Sequence, residues 1–196
     1  MRNEIESPSL SMPVSDSRDH IQGAHTAPVT LVEYGDYQCP YCREAYAVLG
    51  KLMPKLGDTA RLVFRNFPLT QMHPYAEHAA EAAEAAGAQG KFWEMHDILY
   101  ERQDALDDES LLSYAGEIGL DAERFQLEFS QHKYVDRIRE DFQSGIRSGV
   151  NGTPTFFING RRYDGPLDVR SMAEAATLAT PPHHGPRPSK HHRPSA

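Results

Sequence analysis

Apolar side chains along this chain recur at two spacings, and the switches between them mark the elements. Residues 29–34, Val-Thr-Leu-Val-Glu-Tyr, have the β-branched and aromatic content of a pleated strand and stop at Gly35-Asp36, where the backbone can turn. Beyond Pro40 the period lengthens. Tyr41, Ala45, Val48, Leu49 and Leu52 recur at three- and four-residue steps, which predicts a helix over 40–56 with proline in its first turn, where a missing N–H costs nothing. Residues 60–67 return to strand composition and complete a β-α-β unit. Near the other end, 155–159 and 161–163 predict a hairpin across Gly160, and 168–178 a closing helix.

The stretch from Leu69 to Gly149 is too long for one crossover helix, so an all-helical insertion is expected at about 72–148. Its first helix sets Ala76, Ala79, Ala80 and Ala83 on one face and Glu77, Glu81 and Glu84 on the other, and ends at Gly87. Phe92, Met95, His96 and Leu99 form a second stripe. Asp108-Glu109 open a helix through Leu111, Leu112, Ala115 and Ile118; Asp121 caps one with Phe125 and Phe129; Val135, Ile138, Phe142 and Ile146 share a face of the last. These stripes are expected to be core. Residues 1–18 and 180–196 hold too little apolar surface to repay ordering, and disorder is expected at both ends of a domain spanning 19–179.

Composition narrows the function. A chain of 196 residues with 39% hydrophobic content fits one domain with an elaboration. Its formal net charge of -8 argues against nucleic acid and anionic membranes as partners. No basic start followed by an apolar run opens the chain, and no segment approaches a membrane span, so a cytoplasmic location without membrane insertion is expected. In that reducing compartment a lone cysteine pair is catalytic or redox-sensing.

The two cysteines are Cys39 and Cys42, spaced Cys-Pro-Tyr-Cys between the strand and the helix. Cys39 falls at the helix N-terminus, where free N–H groups and the positive end of the macrodipole favour a thiolate, the nucleophilic form. Cys42, one turn further in, should be less exposed and close enough to form a disulfide. The spacing makes Cys39 the attacking thiol and Cys42 the resolving one. A structural zinc half-site is the alternative, but the chain holds no second cysteine pair, and His20, His25 and His73 match no familiar zinc-finger spacing.

Two further features bear on that choice. Glu33 lies on the same strand face as Val29 and Leu31; in a central strand it would be buried, its pKa raised, and able to exchange protons with Cys42. A solvated edge strand would leave it an ordinary acid. The second feature is Gly152-Thr153-Pro154-Thr155, which puts a proline at the first residue of a strand, a position that tolerates it. Asp36, Arg43 and Glu44 flank the cysteines with opposing charges and give no net direction. His73, His78 and His96 are expected to be packed or capping histidines. His183, His184, His191 and His192 belong to a solvated tail or could gather a metal ion.

Taken together, residues 27–34, Cys39 to Cys42, Phe64-Arg65-Asn66-Phe67-Pro68-Leu69, 89–97 and 152–156 resemble, in order, DsbA-like disulfide oxidoreductases of the thioredoxin superfamily, a type also found fused to sodium/proton antiporters. The resemblance implies an α/β thioredoxin-like fold with an all-helical insertion. It implies a cis peptide bond at Pro154 beside the dithiol, a Thr153 backbone that pairs with substrate, and a buried acid at Glu33. Pro40 and Tyr41, between the cysteines, join Thr153 and Pro154 as expected substrate contacts. The Pro-Tyr pair is typical of glutaredoxins, whereas the family's secreted oxidase has Pro-His. The implied activity is thiol-disulfide exchange with protein or peptide disulfides, no metal or organic cofactor, and glutathione or a thioredoxin-type reductant as recycling partner. In a reducing cytosol, reduction or exchange is the expected direction. Glutaredoxin-like deglutathionylation and a non-enzymatic redox sensor or binding module remain as alternatives.

Overall fold

The computed structural model describes residues 8–181. A short strand β1 (His20–Gly23) precedes β2 (Val29–Gly35), helix α1 (Pro40–Leu56), a single 3-10 turn (Gly57–Thr59) and β3 (Ala60–Asn66). Five helices follow: α2 (Ala76–Gly87), α3 (Phe92–Glu101), α4 (Asp108–Glu117), α5 (Ala122–Ser130) and α6 (Val135–Arg147). The chain then returns as β4 (Thr155–Ile158), β5 (Arg161–Tyr163) and α7 (Val169–Ala179). The five strands form one sheet in the order β1-β3-β2-β4-β5, with β2 parallel to β3 and antiparallel to β4. The result is the expected thioredoxin-like α/β order, interrupted once by helices.

Local chemistry accounts for several of these boundaries. Asn159 and Gly160 link β4 to β5 with φ of 47° and 80°, the two positive values that a tight two-residue hairpin turn requires. Asp107, Asp121 and Asp168 each accept a backbone N–H three residues on and so cap α4, α5 and α7.

Helices cover both faces of the sheet. On one face Val29, Leu31, Ala60, Leu62, Phe156 and Ile158 pack against Ala45, Leu49 and Leu52 of α1 and Met172 and Ala176 of α7. On the other, Val32, Tyr34, Val63, Phe67 and Phe157 meet Val150 and Phe142. A third core fills the insertion and runs without a break to Tyr37, Cys39, Cys42 and Phe64. The dithiol is therefore part of the floor of the insertion's core.

Two expectations are corrected, and one strand was not foreseen. Residues 8–18, expected to be disordered, are built into the fold: Leu10 N–H donates to Gly160 O at 2.8 Å, Ser9 bridges Arg161, and Leu10 and Val14 pack on the second core. Composition could not show this, because what orders the segment is the free edge of β5 and the Arg65 guanidinium, which donates to the carbonyls of Met12 and Pro13. Residues 1–7 and 182–196, with most of the expected tail, lie outside the described residues. Next, Glu81 and Glu84 are buried rather than on a solvent face. Alanines make α2 thin enough to be enclosed over most of its length, and both buried acids find partners: Glu84 meets His20 at 2.9 Å and Asn66 at 2.7 Å, and Glu81 meets His132. Finally, β1 is an edge strand that the sequence pattern does not announce, since among its four residues Ile21 alone is an aliphatic hydrophobe.

Candidate active site

Cys39 is the N-cap of α1, with extended φ and ψ of −74° and 122°, and Pro40 opens the helix. Both cysteines are free thiols. Cys42 is fully buried and Cys39 is 3% exposed, so the Cys39 sulfur is more enclosed than its place at a helix end suggests. The Cys39 thiol is lowered from 9.0 to about 5. The largest cause is hydrogen bonding from Cys42; partial burial opposes it, and Thr153 and the backbone N–H groups of Cys42 and Tyr41 add to it. The helix terminus thus contributes in the expected sense, but less than the second thiol. Cys42 moves the other way, far above the ordinary thiol range, through burial first and its hydrogen bond to Cys39 second. One thiol is held ready as an anion and the other is held protonated.

Glu33 lies on the α1 face of β2, opposite Phe64 of β3 and Phe156 of β4, and is 1% exposed. The condition for its burial, a central strand covered on both faces, is met. Its carboxyl is pushed up from 4.5 to about 8 by burial, then by negative charge on Cys39. Its Oε1 has no hydrogen-bond partner among the described residues, so the neutral acid is the less costly form there. Because the folded pKa exceeds the unfolded one, the folded chain binds the extra proton between pH 4.5 and 8, and stability must fall as pH rises through that window. Relative to Glu33→Gln, the reduced wild-type chain is expected to lose up to about 1.4 kcal/mol per pH unit. Denaturant melts at pH 5, 6.5 and 8 measure this; parallel pH profiles for the two chains would disprove it.

The segment before β4 closes the site. The Thr153–Pro154 peptide bond is cis, and the protonated Cys39 Sγ donates to Thr153 O at 3.4 Å. Thr153 Oγ1 is buried and has no hydrogen-bond partner among the described residues. Tyr41, 63% exposed, shares a groove of about 300 Å³ with Thr153, Pro154, Tyr163 and Leu167. Pro40 does not join them. It lines a separate depression with Gln38, Tyr75 and Gln103, so the four expected substrate contacts divide between two sides of the dithiol. Gln103, from the loop after α3, was not foreseen: its Nε2 donates to Tyr37 O at 2.7 Å and Cys39 O at 3.0 Å, tying the insertion to the motif. A glutamine in a loop carries no pattern that would single it out.

The neighbouring charges are used structurally. Asp36 is buried; its carboxylate accepts from Gln38 N and Leu69 N and pairs with His73 Nδ1, each at 2.8 Å, and its own N–H donates to Cys42 Sγ at 3.5 Å. Arg43 turns outward to Asp104 at 3.6 Å. His96 is buried among aromatic rings and pairs with Tyr37 OH at 3.1 Å; burial first and His20 second lower it to about 3, which keeps it neutral. His78 differs from expectation, since folding sets it beside Glu81 and His132.

A cysteine at a helix start, a cis-proline loop facing it and a helical insertion above define a thioredoxin-fold protein with a dithiol site. The family profile described as Thioredoxin matches residues 15–176, and the chain belongs to that family. Similar solved structures include a thioredoxin-like oxidoreductase from Silicibacter pomeroyi, 30% identical with a TM-score of 0.74 over 84% of this chain and 93% of that one. BdbD from Bacillus subtilis, 22% identical, has a TM-score of 0.75 over 89% of this chain and 97% of its own, a likeness of fold. Among curated proteins the chain is similar to a Na(+)/H(+) antiporter NhaA 1 of Salinispora arenicola, 47% identical over 170 residues, 87% of this chain and 26% of the antiporter. An NhaA antiporter of Herminiimonas arsenicoxydans is 42% identical over 163 residues, 83% of this chain and 26% of its own length. The chain thus spans about a quarter of the length of these relatives. Among the described residues no helix is long and apolar enough to cross a membrane.

Proposed function

We propose that the chain exchanges its Cys39/Cys42 dithiol with disulfides of protein or peptide substrates through a mixed disulfide. The Cys39 thiolate attacks one substrate sulfur, the substrate S–S bond breaks, and the second sulfur leaves as a thiolate that takes up a proton. Cys42 then loses its proton to water or to the ionised fraction of Glu33, which grows once the Cys39 charge is gone, and attacks Cys39 Sγ. The first substrate sulfur departs, leaving the substrate reduced by two electrons and the protein with a Cys39–Cys42 disulfide. Thr153 and Pro154 align the substrate backbone as an added strand, with Tyr41 against its side chains. Glutathione or a thioredoxin-type reductant recycles the dithiol, and the reaction requires no metal or organic cofactor.

The observation that carries this reading is the division of roles between the thiols, one lowered to about 5 and facing the cis-proline loop, the other held protonated beside an acid raised to about 8. A thiol at about 5 lies between thioredoxin's, about 7, and the strong oxidase's, about 3.5. The reduction potential is accordingly expected between about −270 and −120 mV, and its place within that interval decides between exchange or reduction and net oxidation. Equilibration with glutathione buffers measures it, and Cys42→Ser is expected to trap substrate proteins on Cys39. A potential outside that window, or a trap that holds no thiol partner, would overturn the reading. Turnover of glutathione mixed disulfides by Cys42→Ser would instead favour deglutathionylation. The antiporter relatives favour one second reading, a redox-sensing module for a transporter; it predicts no acceleration of disulfide reduction and a partner affinity that changes on oxidation.

A further inference from the structure

Helix α2 carries His78 and Glu81 one turn apart on the same face. The turn between α5 and α6 brings a second imidazole to them: His132, with φ of 50°, sets Nδ1 at 3.1 Å from both Glu81 oxygens. One ligand atom from each of the three residues lies within 4.8 Å of the other two. His78 Nδ1 is in turn 2.7 Å from Asp108 Oδ1 at the start of α4, which leaves Nε2 to bind a cation. The cluster opens on a cavity of about 420 Å³, whose walls add the carboxylates of Glu77 and Asp136. Glu81 is buried, while the imidazoles of His78 and His132 are 37% and 59% exposed, so the carboxylate forms the floor and the rings the entrance.

From this geometry we infer that His78, Glu81 and His132 form a binding site for a divalent transition-metal cation of the zinc class. Two imidazoles and one carboxylate are the donor set of zinc sites that keep an open position, and imidazole selects zinc, copper or nickel over magnesium or calcium. A tetrahedral sphere with bonds of about 2.0–2.1 Å needs ligand atoms about 3.4 Å apart, a contraction that two partly exposed rings can make by rotation. Asp108 supplies the carboxylate that fixes the tautomer of a metal-binding histidine. The fourth position faces the cavity, where water, Glu77 or Asp136 can occupy it. A bare Glu81–His132 ion pair would leave the Asp108-held His78 ring unexplained. Bound metal would join α2, the start of α4 and the α5–α6 turn, fastening the insertion whose core the dithiol shares. The inference does not rest on the proposed exchange reaction.

The test uses the full chain with Cys39→Ser and Cys42→Ser, and with His183, His184, His191 and His192 each changed to Ala, so that thiolates and tail histidines cannot compete. Calorimetric titration with Zn²⁺ at pH 7.5 is expected to give one equivalent bound and a zinc-dependent rise in the thermal midpoint. His78→Ala and His132→Ala should each weaken binding at least tenfold, and Asp108→Asn by about 10–100-fold. If a variant folds poorly, the parent decides: on adding Zn²⁺ its ¹H–¹⁵N spectrum must shift the ring nitrogens of His78 and His132. No bound zinc, equal affinity in well-folded ring variants, or shifts confined to other histidines would each overturn the site.

Discussion

Reduced protein titrated with iodoacetamide is expected to show a Cys39 thiolate with a midpoint near pH 5. At pH 6 about nine-tenths of Cys39 would be anionic, against about 0.3% of an unperturbed thiol at 8.5. The lower basicity of the stabilised thiolate takes back part of that gain, because nucleophilicity falls with pKa at a slope of about 0.4–0.5, and the net rate advantage at pH 6 comes to about tenfold. Since hydrogen bonding from Cys42 is the largest cause, Cys42→Ala should move the midpoint up, whereas Cys42→Ser, which keeps a donor, should leave it low. Cys39→Ser should reduce exchange with a model disulfide such as insulin to the uncatalysed rate. A midpoint above pH 8, or equal midpoints for the two Cys42 variants, would remove the basis for assigning separate roles to the thiols.

Asp19→Ala is the substitution expected to cost the most stability. Arg65, in the middle of β3, is fully buried, and its guanidinium donates to both Asp19 oxygens at 2.9 and 3.0 Å, to Tyr34 OH at 3.1 Å and to the carbonyls of Met12 and Pro13. Removing the carboxylate strands a positive charge away from water, which costs about 3–5 kcal/mol. For a domain of this size that corresponds to a thermal midpoint lower by roughly 6–20 °C. Arg65→Met in the same chain should recover part of the loss, because it removes the stranded charge. The pH dependence has a definite sign. Burial pushes the Asp19 carboxyl up, but hydrogen bonds and charge from Arg65 overcome this and leave it below 3.8. Its contribution is therefore complete above the unfolded pKa and disappears as pH falls through the folded one, so wild type and Asp19→Ala should converge only in acid. Scanning calorimetry at pH 7 and pH 3 tests both statements, and a loss at pH 7 within about 1 kcal/mol, the range of a surface ion pair, would refute them.

Arg65 also shows where the sequence stops being informative. It sits in a segment whose pattern predicts a strand, and the strand forms, but nothing nearby says that its charge is neutralised by Asp19 and by carbonyls of a segment expected to be disordered. Glu81 and Glu84 fail in the same way. Their spacing from the alanines makes a polar face, and that face is enclosed because His132, His20 and Asn66 come from elsewhere in the chain to meet it. Gln103 and the zinc-class cluster depend equally on partners far off in sequence.

What lies within a turn or two of chain was determined by the sequence itself. The strand at Val29–Gly35, the helix from Pro40 with Cys39 at its head, the Asn159-Gly160 hairpin and the aspartate caps all follow from side-chain period, backbone freedom and hydrogen bonds spanning a few residues. The proposed division into an attacking and a resolving thiol is also read at this level. How anionic Cys39 becomes, whether Glu33 is dry enough to hold a proton near neutrality, and which side of the dithiol meets Pro40 or Tyr41 were decided only when the insertion and the Thr153–Pro154 loop closed over the motif. Electrostatic energies depend on the exclusion of water and on the charges facing a group, and both are set by whichever distant segments pack against it.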